Sequence, residues 1–191
     1  RVTKSKEPPG RVRFLSDDER ARLLEACRPH ADLYLALVLS LTTGGRQSEI
    51  MGLTWSQVDF SRKTLTLIET KNGDRRTLPL VGEAFALLQE RSKVRSLKEN
   101  RVFVPVKEDG KQRSLREAWE RALARAEIEN FHWHDLRHTA ASYLVMSGVS
   151  LVEVAKILGH RTLAMVARYA HLADEHIVAT GEKLAARLGV A

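Results

Sequence analysis

The stretch Tyr34-Leu-Ala-Leu-Val-Leu-Ser-Leu41 constrains this chain more than any other, because it is apolar on nearly every face that a helix can present. It is far shorter than the roughly 20 residues needed to cross a bilayer. It must therefore be a helix buried by the rest of the chain, and the other elements have to be arranged around it. Gly44-Gly45 follows as a helix stop, which sets a central core helix at residues 30–42. The 191 residues suffice for one domain with a sizeable core. At 43% hydrophobic and 29% charged, the composition is too apolar for disorder and too interrupted for a membrane span.

On the N-terminal side, Ser16-Asp17-Asp18-Glu19 is a capping box, and the apolar positions behind it predict a helix over 17–28. A short helix follows at 46–53. From Trp55 to Leu80 the period changes from helical to alternating, through Val58, Phe60, Thr64-Leu-Thr-Leu-Ile68 and Arg76-Thr-Leu-Pro-Leu80. The turn between the last two is Lys71-Asn-Gly-Asp74, a strong hairpin signal. Helices resume at 82–91, 115–126, 134–147, 151–158, 163–171 and 174–188. The expected fold class is mostly α with a small three-stranded antiparallel β-sheet, an α+β domain over 16–191. Residues 1–15 are basic, contain Pro8-Pro9-Gly10 and start without methionine, and they are expected to be the linker from an N-terminal domain of a longer protein.

Lysine and arginine total 31 against 24 aspartates and glutamates, a formal charge of +7 that favours a polyanionic partner. The single cysteine, Cys27, has no partner for an internal disulfide, so a reducing cytoplasmic compartment is expected, with no membrane association.

Around His134-Asp-Leu-Arg-His138 a helical wheel separates Leu136, Ala140, Tyr143, Leu144 and Ser147 from an opposite polar side of His134, Arg137, His138 and Ala141. His134 and Arg137 lie in the first turn of their helix and Arg46 opens its own, at the end where the helix dipole disfavours cations. An anion bound there would explain the placement. So would pairing with the nearby carboxylates Glu49 and Asp135. Leu158-Gly-His160 reads as a helix end closed by Gly159, and Tyr169 follows nine residues after His160. No metal is expected, because the His134/His138 pair lacks the adjacent glutamate of a zinc motif and no cluster of carboxylates stands out.

Taken together, Thr43-Gly-Gly-Arg-Gln-Ser-Glu-Ile50, Thr70-Lys-Asn-Gly73, His134-Asp-Leu-Arg-His-Thr139, Leu158-Gly-His160 and Tyr169-Ala-His-Leu172 resemble the catalytic domain of the tyrosine recombinase (phage integrase) family in order and spacing. The resemblance implies six active-site residues: Arg46, Lys71, His134, Arg137, His160 and Tyr169. It implies Tyr169 as the nucleophile that forms a 3′-phosphotyrosyl link, with Arg46, Arg137 and His160 gripping the phosphate. His134 would assist departure of the phenolic proton, and Lys71 would protonate the leaving 5′-oxygen. The partner would be a double-stranded DNA recombination site bound by a homotetramer, with neither metal nor ATP required. A terminal helix of this kind docks on its own domain or on a neighbouring protomer. Tyr34 and Tyr143 are assigned to the core, leaving Tyr169 as the exposed nucleophile. Lys4, Lys6, Arg11, Arg13, Arg62, Lys63, Arg75 and Arg76 are expected to touch the DNA backbone. Alternatives are DNA relaxation in the manner of a type IB topoisomerase, a non-catalytic DNA-binding regulator on the same fold, and a metal-dependent nuclease.

Overall fold

The structure, a computed structural model, describes residues 12–68, 75–95, 98–104, 115–160 and 162–190. Helix α1 (Asp17–Cys27) opens with the expected capping box: the Glu19 amide donates to Ser16 Oγ at 3.1 Å and the Ser16 amide to Glu19 Oε2 at 3.0 Å. Helix α2 (Ala31–Thr43) is the central element, with residues from Leu33 to Ser40 buried all round its circumference. It packs on α1, on α3 (Gln47–Met51), on α4 (Gly82–Lys93) and on α6 (Asp135–Met146). A fully buried leucine contributes about 1.5–3 kcal/mol, and α2 contains four that are almost wholly inaccessible: Leu33, Leu35, Leu37 and Leu39. This helix therefore anchors the core. α5 (Arg116–Arg125) covers α1.

The sheet is antiparallel with order β1 (Val58–Asp59), β2 (Thr64–Ile68), β3 (Arg75–Pro79). Register pairs Leu65 with Leu78 and Leu67 with Arg76, so these four share one face, and it is the face turned toward the core. Thr66 and Thr77 pair their hydroxyls at 3.1 Å. The expected turn at 71–74, with Lys71, lies outside the described residues.

After α7 (Leu151–Leu158), the expected helix at 163–171 is instead two short 3₁₀ segments, Leu163–Met165 and Ala167–Ala173, which lead into α8 (Asp174–Leu188). The period explains the difference. Val166 and Tyr169 are buried and Leu172 packs beside them, a spacing of three that a 3₁₀ helix places on one face. With Ala141, Val145, Val154, Ala155 and Leu158 they form a second apolar cluster beside the main core. The extended residues before α1 belong to the packing as well: Leu15 is fully buried and its amide donates to Thr139 Oγ1 at 3.1 Å. Among the described residues no helix is long and apolar enough to cross a membrane.

Candidate active site

Helix ends bring the site together. Gly44, left-handed at φ 61°, closes α2, and its amide donates to the Ser40 carbonyl at 3.0 Å. The chain then turns into Arg46, which caps α3. The Arg46 amide donates to Glu49 Oε2 at 2.7 Å and its Nη1 to Glu49 Oε1 at 3.1 Å. The pairing with Glu49 considered from the sequence is thus present. Glu49 is buried and is also held by Arg76, whose Nη1 and Nη2 donate to its two oxygens at 2.9 and 2.6 Å. Burial pushes the Glu49 carboxyl up, but the Arg76 fork, the Arg46 amide and the two guanidinium charges outweigh it and hold the group below its ordinary value.

Arg76 was expected as a backbone contact on the surface, and the structure corrects this. Its side chain is only 10% exposed and its Nε is buried with no hydrogen-bond partner. The strand alternation contained the signal, since Arg76 shares the inward parity of Leu78 and Leu80.

Arg137 is 4% exposed, so the predicted polar side of α6 is covered at this residue, while His134 on the same side stays exposed. The guanidinium does not pair with Asp135, whose carboxylate instead accepts from the His132 amide at 2.8 Å. Arg137 Nη1 donates to the Gly44 carbonyl at 2.8 Å and Nη2 to the Leu158 carbonyl at 2.5 Å. A cation at the N-terminus of its own helix thus sits at the carbonyl ends of two others, where the dipoles favour it. Burial, followed by the charges of Arg46 and Arg76, lowers its pKa to about 10.

Gly159, left-handed at φ 68°, closes α7 against the Arg76 side chain and starts the loop that carries His160. Burial and the charges of Arg137 and Arg46 lower His160 to about 4, and its Nδ1 is buried without a hydrogen-bond partner. His134 is exposed at the start of α6, and desolvation together with Arg137 lowers it too. A site that lowers its imidazoles and an arginine is one of positive potential, and it holds a buried Arg76 Nε–H without a partner. Such a site suits an anion.

Tyr169 differs most from expectation. It is 1% exposed, a member of the second apolar cluster, and its hydroxyl lies 2.5 Å from Nδ1 of His138. Burial raises its pKa against the lowering charges of Arg168 and Arg137. Tyr143, assigned to the core from sequence, is half-buried instead and donates its hydroxyl to Asp17 Oδ1 at 2.8 Å. Tyr34 is buried with its hydroxyl on Glu83 at 2.6 Å. Exposure therefore does not single out Tyr169; what sets it apart from the other two tyrosines is its hydroxyl contact with His138, the residue after Arg137 on α6. The sequence reading left His138 without a role.

Of the remaining candidates, Lys71, Lys4, Lys6 and Arg11 lie outside the described residues. Arg13 pairs with Glu19 and lies over the Phe131 ring at 5.5 Å. Arg62 is 3.8 Å from Asp59, Lys63 lies 5.6 Å from the Phe85 ring, and Arg75 is exposed at the start of β3. Among the described residues no three His, Cys, Asp or Glu side chains are grouped as a bound metal ion requires.

A model of the phage integrase family matches residues 13–176. The chain belongs to the phage integrase family. This integrase-family chain is 35% identical over 178 residues to the shufflon-specific DNA recombinase of Escherichia coli, covering 90% of this chain and 43% of that protein. It is 34% identical to the integrase of Salmonella phage P22, covering 87% of this chain and 46% of that one. It thus spans less than half the length of either relative. Among solved structures, the catalytic domain of bacteriophage HP1 integrase superposes with a TM-score of 0.72 at 34% identity, over 90% of this chain and 95% of that domain. XerA recombinase superposes with a TM-score of 0.72 at 25% identity, over 92% of this chain and 66% of that one. The mostly helical domain with its three-stranded sheet is the tyrosine recombinase catalytic-domain fold.

Proposed function

We propose that the chain is the catalytic domain of a site-specific DNA recombinase that cuts and rejoins DNA through a 3′-phosphotyrosyl intermediate. The observation that carries this reading is geometric: the Tyr169 hydroxyl meets His138 on α6, and the adjacent Arg137 guanidinium is held by the carbonyls of Gly44 and Leu158, two residues from Arg46 and two from His160. Attack on a phosphodiester concentrates negative charge on the non-bridging oxygens, and preorganised donors stabilise it. Arg46 and Arg137 supply planar forks that a lysine cannot reproduce, and neutral His160 supplies a further hydrogen bond. Lys71 protonates the departing 5′-oxygen. The energy of the phosphodiester is kept in the tyrosyl link, so rejoining needs neither ATP nor metal.

The substrate class follows from the relatives, one of which is named as a DNA recombinase, and from the +7 charge. In the same reading the protein acts as a homotetramer on its site, and the basic residues 1–11, ahead of the packed segment that ends in Leu15, link this domain to a second one that completes the grip on DNA.

The test is incubation in EDTA with a pool of end-labelled, nicked duplex oligonucleotides of randomised sequence, followed by a denaturing gel. A covalent protein–DNA adduct is expected, and it should be absent with Tyr169→Phe. An adduct that survives this substitution, or that forms only with a divalent metal, overturns the mechanism.

A further inference from the structure

We propose that His138 is a further catalytic residue: its Nδ1 receives the phenolic proton of Tyr169 as the phenolic oxygen bonds to phosphorus. The inference rests on the recombinase reading above. It begins from one contact. The Tyr169 hydroxyl lies 2.5 Å from His138 Nδ1, with ring centroids 6.0 Å apart, inside a part of the molecule where the phenol is almost wholly shielded from water. A buried hydroxyl needs a partner, and a neutral imidazole nitrogen is a strong acceptor for it. In this proposal the phenol is the donor, with the His138 proton on Nε2. His134 packs edge-on against the His138 ring at 5.2 Å and 87°, which holds the acceptor in place. The proton-accepting role that the family resemblance implies for His134 thus falls, by geometry, to the histidine one turn further along α6.

The surroundings keep this acceptor ready. His138 faces His134, Asp135 and Arg137 from its own helix and Arg168 and Tyr169 from the 3₁₀ segment. Burial, His134 and the two arginines outweigh Asp135 and lower its pKa to about 4, so at neutral pH the imidazole is unprotonated. So weak a base does not ionise a resting phenol whose own pKa is raised by burial. Transfer becomes favourable only within the reaction, when the oxygen shares a lone pair with phosphorus and its proton turns strongly acidic. A phosphate seated on Arg137 also offsets one of the charges that depress His138. In that step the Oη–P bond forms, the O–H electron pair stays on oxygen, and the proton passes to Nδ1. The P–O5′ bond breaks, and its oxygen takes a proton from Lys71. Rejoining reverses each transfer, and His138 returns the proton to Tyr169.

Two measurements on the 191-residue chain test this. In the absence of DNA, ¹⁵N spectra of labelled histidine should show the His138 Nδ1 as a hydrogen-bonded acceptor, and Tyr169→Phe should move that resonance; an unmoved resonance overturns the contact. With a nicked duplex selected from the pool above, His138→Ala and His138→Gln should both slow adduct formation by about 10²-fold or more, with DNA affinity unchanged. Added imidazole should restore part of the His138→Ala rate. The glutamine variant can accept a hydrogen bond but not a proton, so a parental rate in it overturns the proton-transfer role, as does a parental rate in the alanine variant. If a Tyr169-dependent adduct forms while His138 variants react at full rate, this inference alone fails. If the parent forms no adduct, the recombinase reading fails and takes this one with it.

Discussion

Arg137 commits two of its guanidinium donors to the carbonyls of Gly44 and Leu158, and this ties its proposed role at the phosphate to the stability of the fold. A lysine has a single nitrogen and cannot bridge both carbonyls while presenting a planar face to phosphate. Arg137→Lys should therefore lower the rate of adduct formation by about 10²-fold or more. The same substitution should cost about 1.5–3 kcal/mol in urea unfolding. A variant with the parent's unfolding midpoint and rate would remove the residue from both roles. Glu49 is the buried carboxylate between Arg46 and Arg76, and neutralising it leaves two cations facing each other. Glu49→Gln should destabilise by about 3 kcal/mol, read from the same unfolding curves, and full stability would show that the arginines find other partners. At this scale the motif residues Arg46, Arg137, His160 and Tyr169 were legible from their order and spacing. The contact of His138 and the partner of Arg76 were not, because a wheel or a strand pattern, which does show Arg76 facing inward, says which side a residue faces and not what it meets there.

At the candidate site the elements meet at their ends. The carbonyl end of α2, the start of α3, the first turn of α6 and the carbonyl end of α7 converge, with two left-handed glycines making the turns. Gly44 is the tightest of these points: a Cβ there would stand 2.3 Å from Leu158 Cδ2, in a backbone conformation that side chains resist. Gly44→Ala should cost about 2–4 kcal/mol, measured by thermal or urea unfolding, and should also displace the carbonyl that holds Arg137. Parental stability would mean that Leu158 moves aside without cost. Most helices were legible, since capping boxes and apolar periodicity are properties of neighbouring residues. The helix expected at 163–171 is instead 3₁₀. Its buried positions Val166 and Tyr169 repeat every three residues, and that period becomes visible only once α6 shows which of them it covers.

For the whole molecule, the +7 charge is distributed less simply than a basic surface. Arg76 and Arg137 lie inside, and their charges help to keep His160 near 4, while His138 is held near 4 chiefly by burial and by His134. The sign of the pH dependence follows. Between the ordinary histidine value of about 6.5 and about 4, the unfolded chain binds protons at these two positions and the folded chain does not, so stability falls as the solution is acidified. Glu19, held at about 2 chiefly by Arg13, and Glu49, also lowered, extend the loss below the ordinary carboxylate range. Thermal midpoints should decline steadily from pH 7 to pH 4.5, and a flat profile would contradict the buried neutral imidazoles. What the sequence determined by itself was every element but the 3₁₀ segments, the central place of α2, and the ordered motifs that mark the family, because each depends on residues adjacent or a few positions apart. Only the tertiary structure decided that Arg137 holds Gly44, that Arg76 holds Glu49, and that His138 rather than His134 meets Tyr169. Those partners are separated by 93, 27 and 31 positions, and at such distances packing chooses the contact.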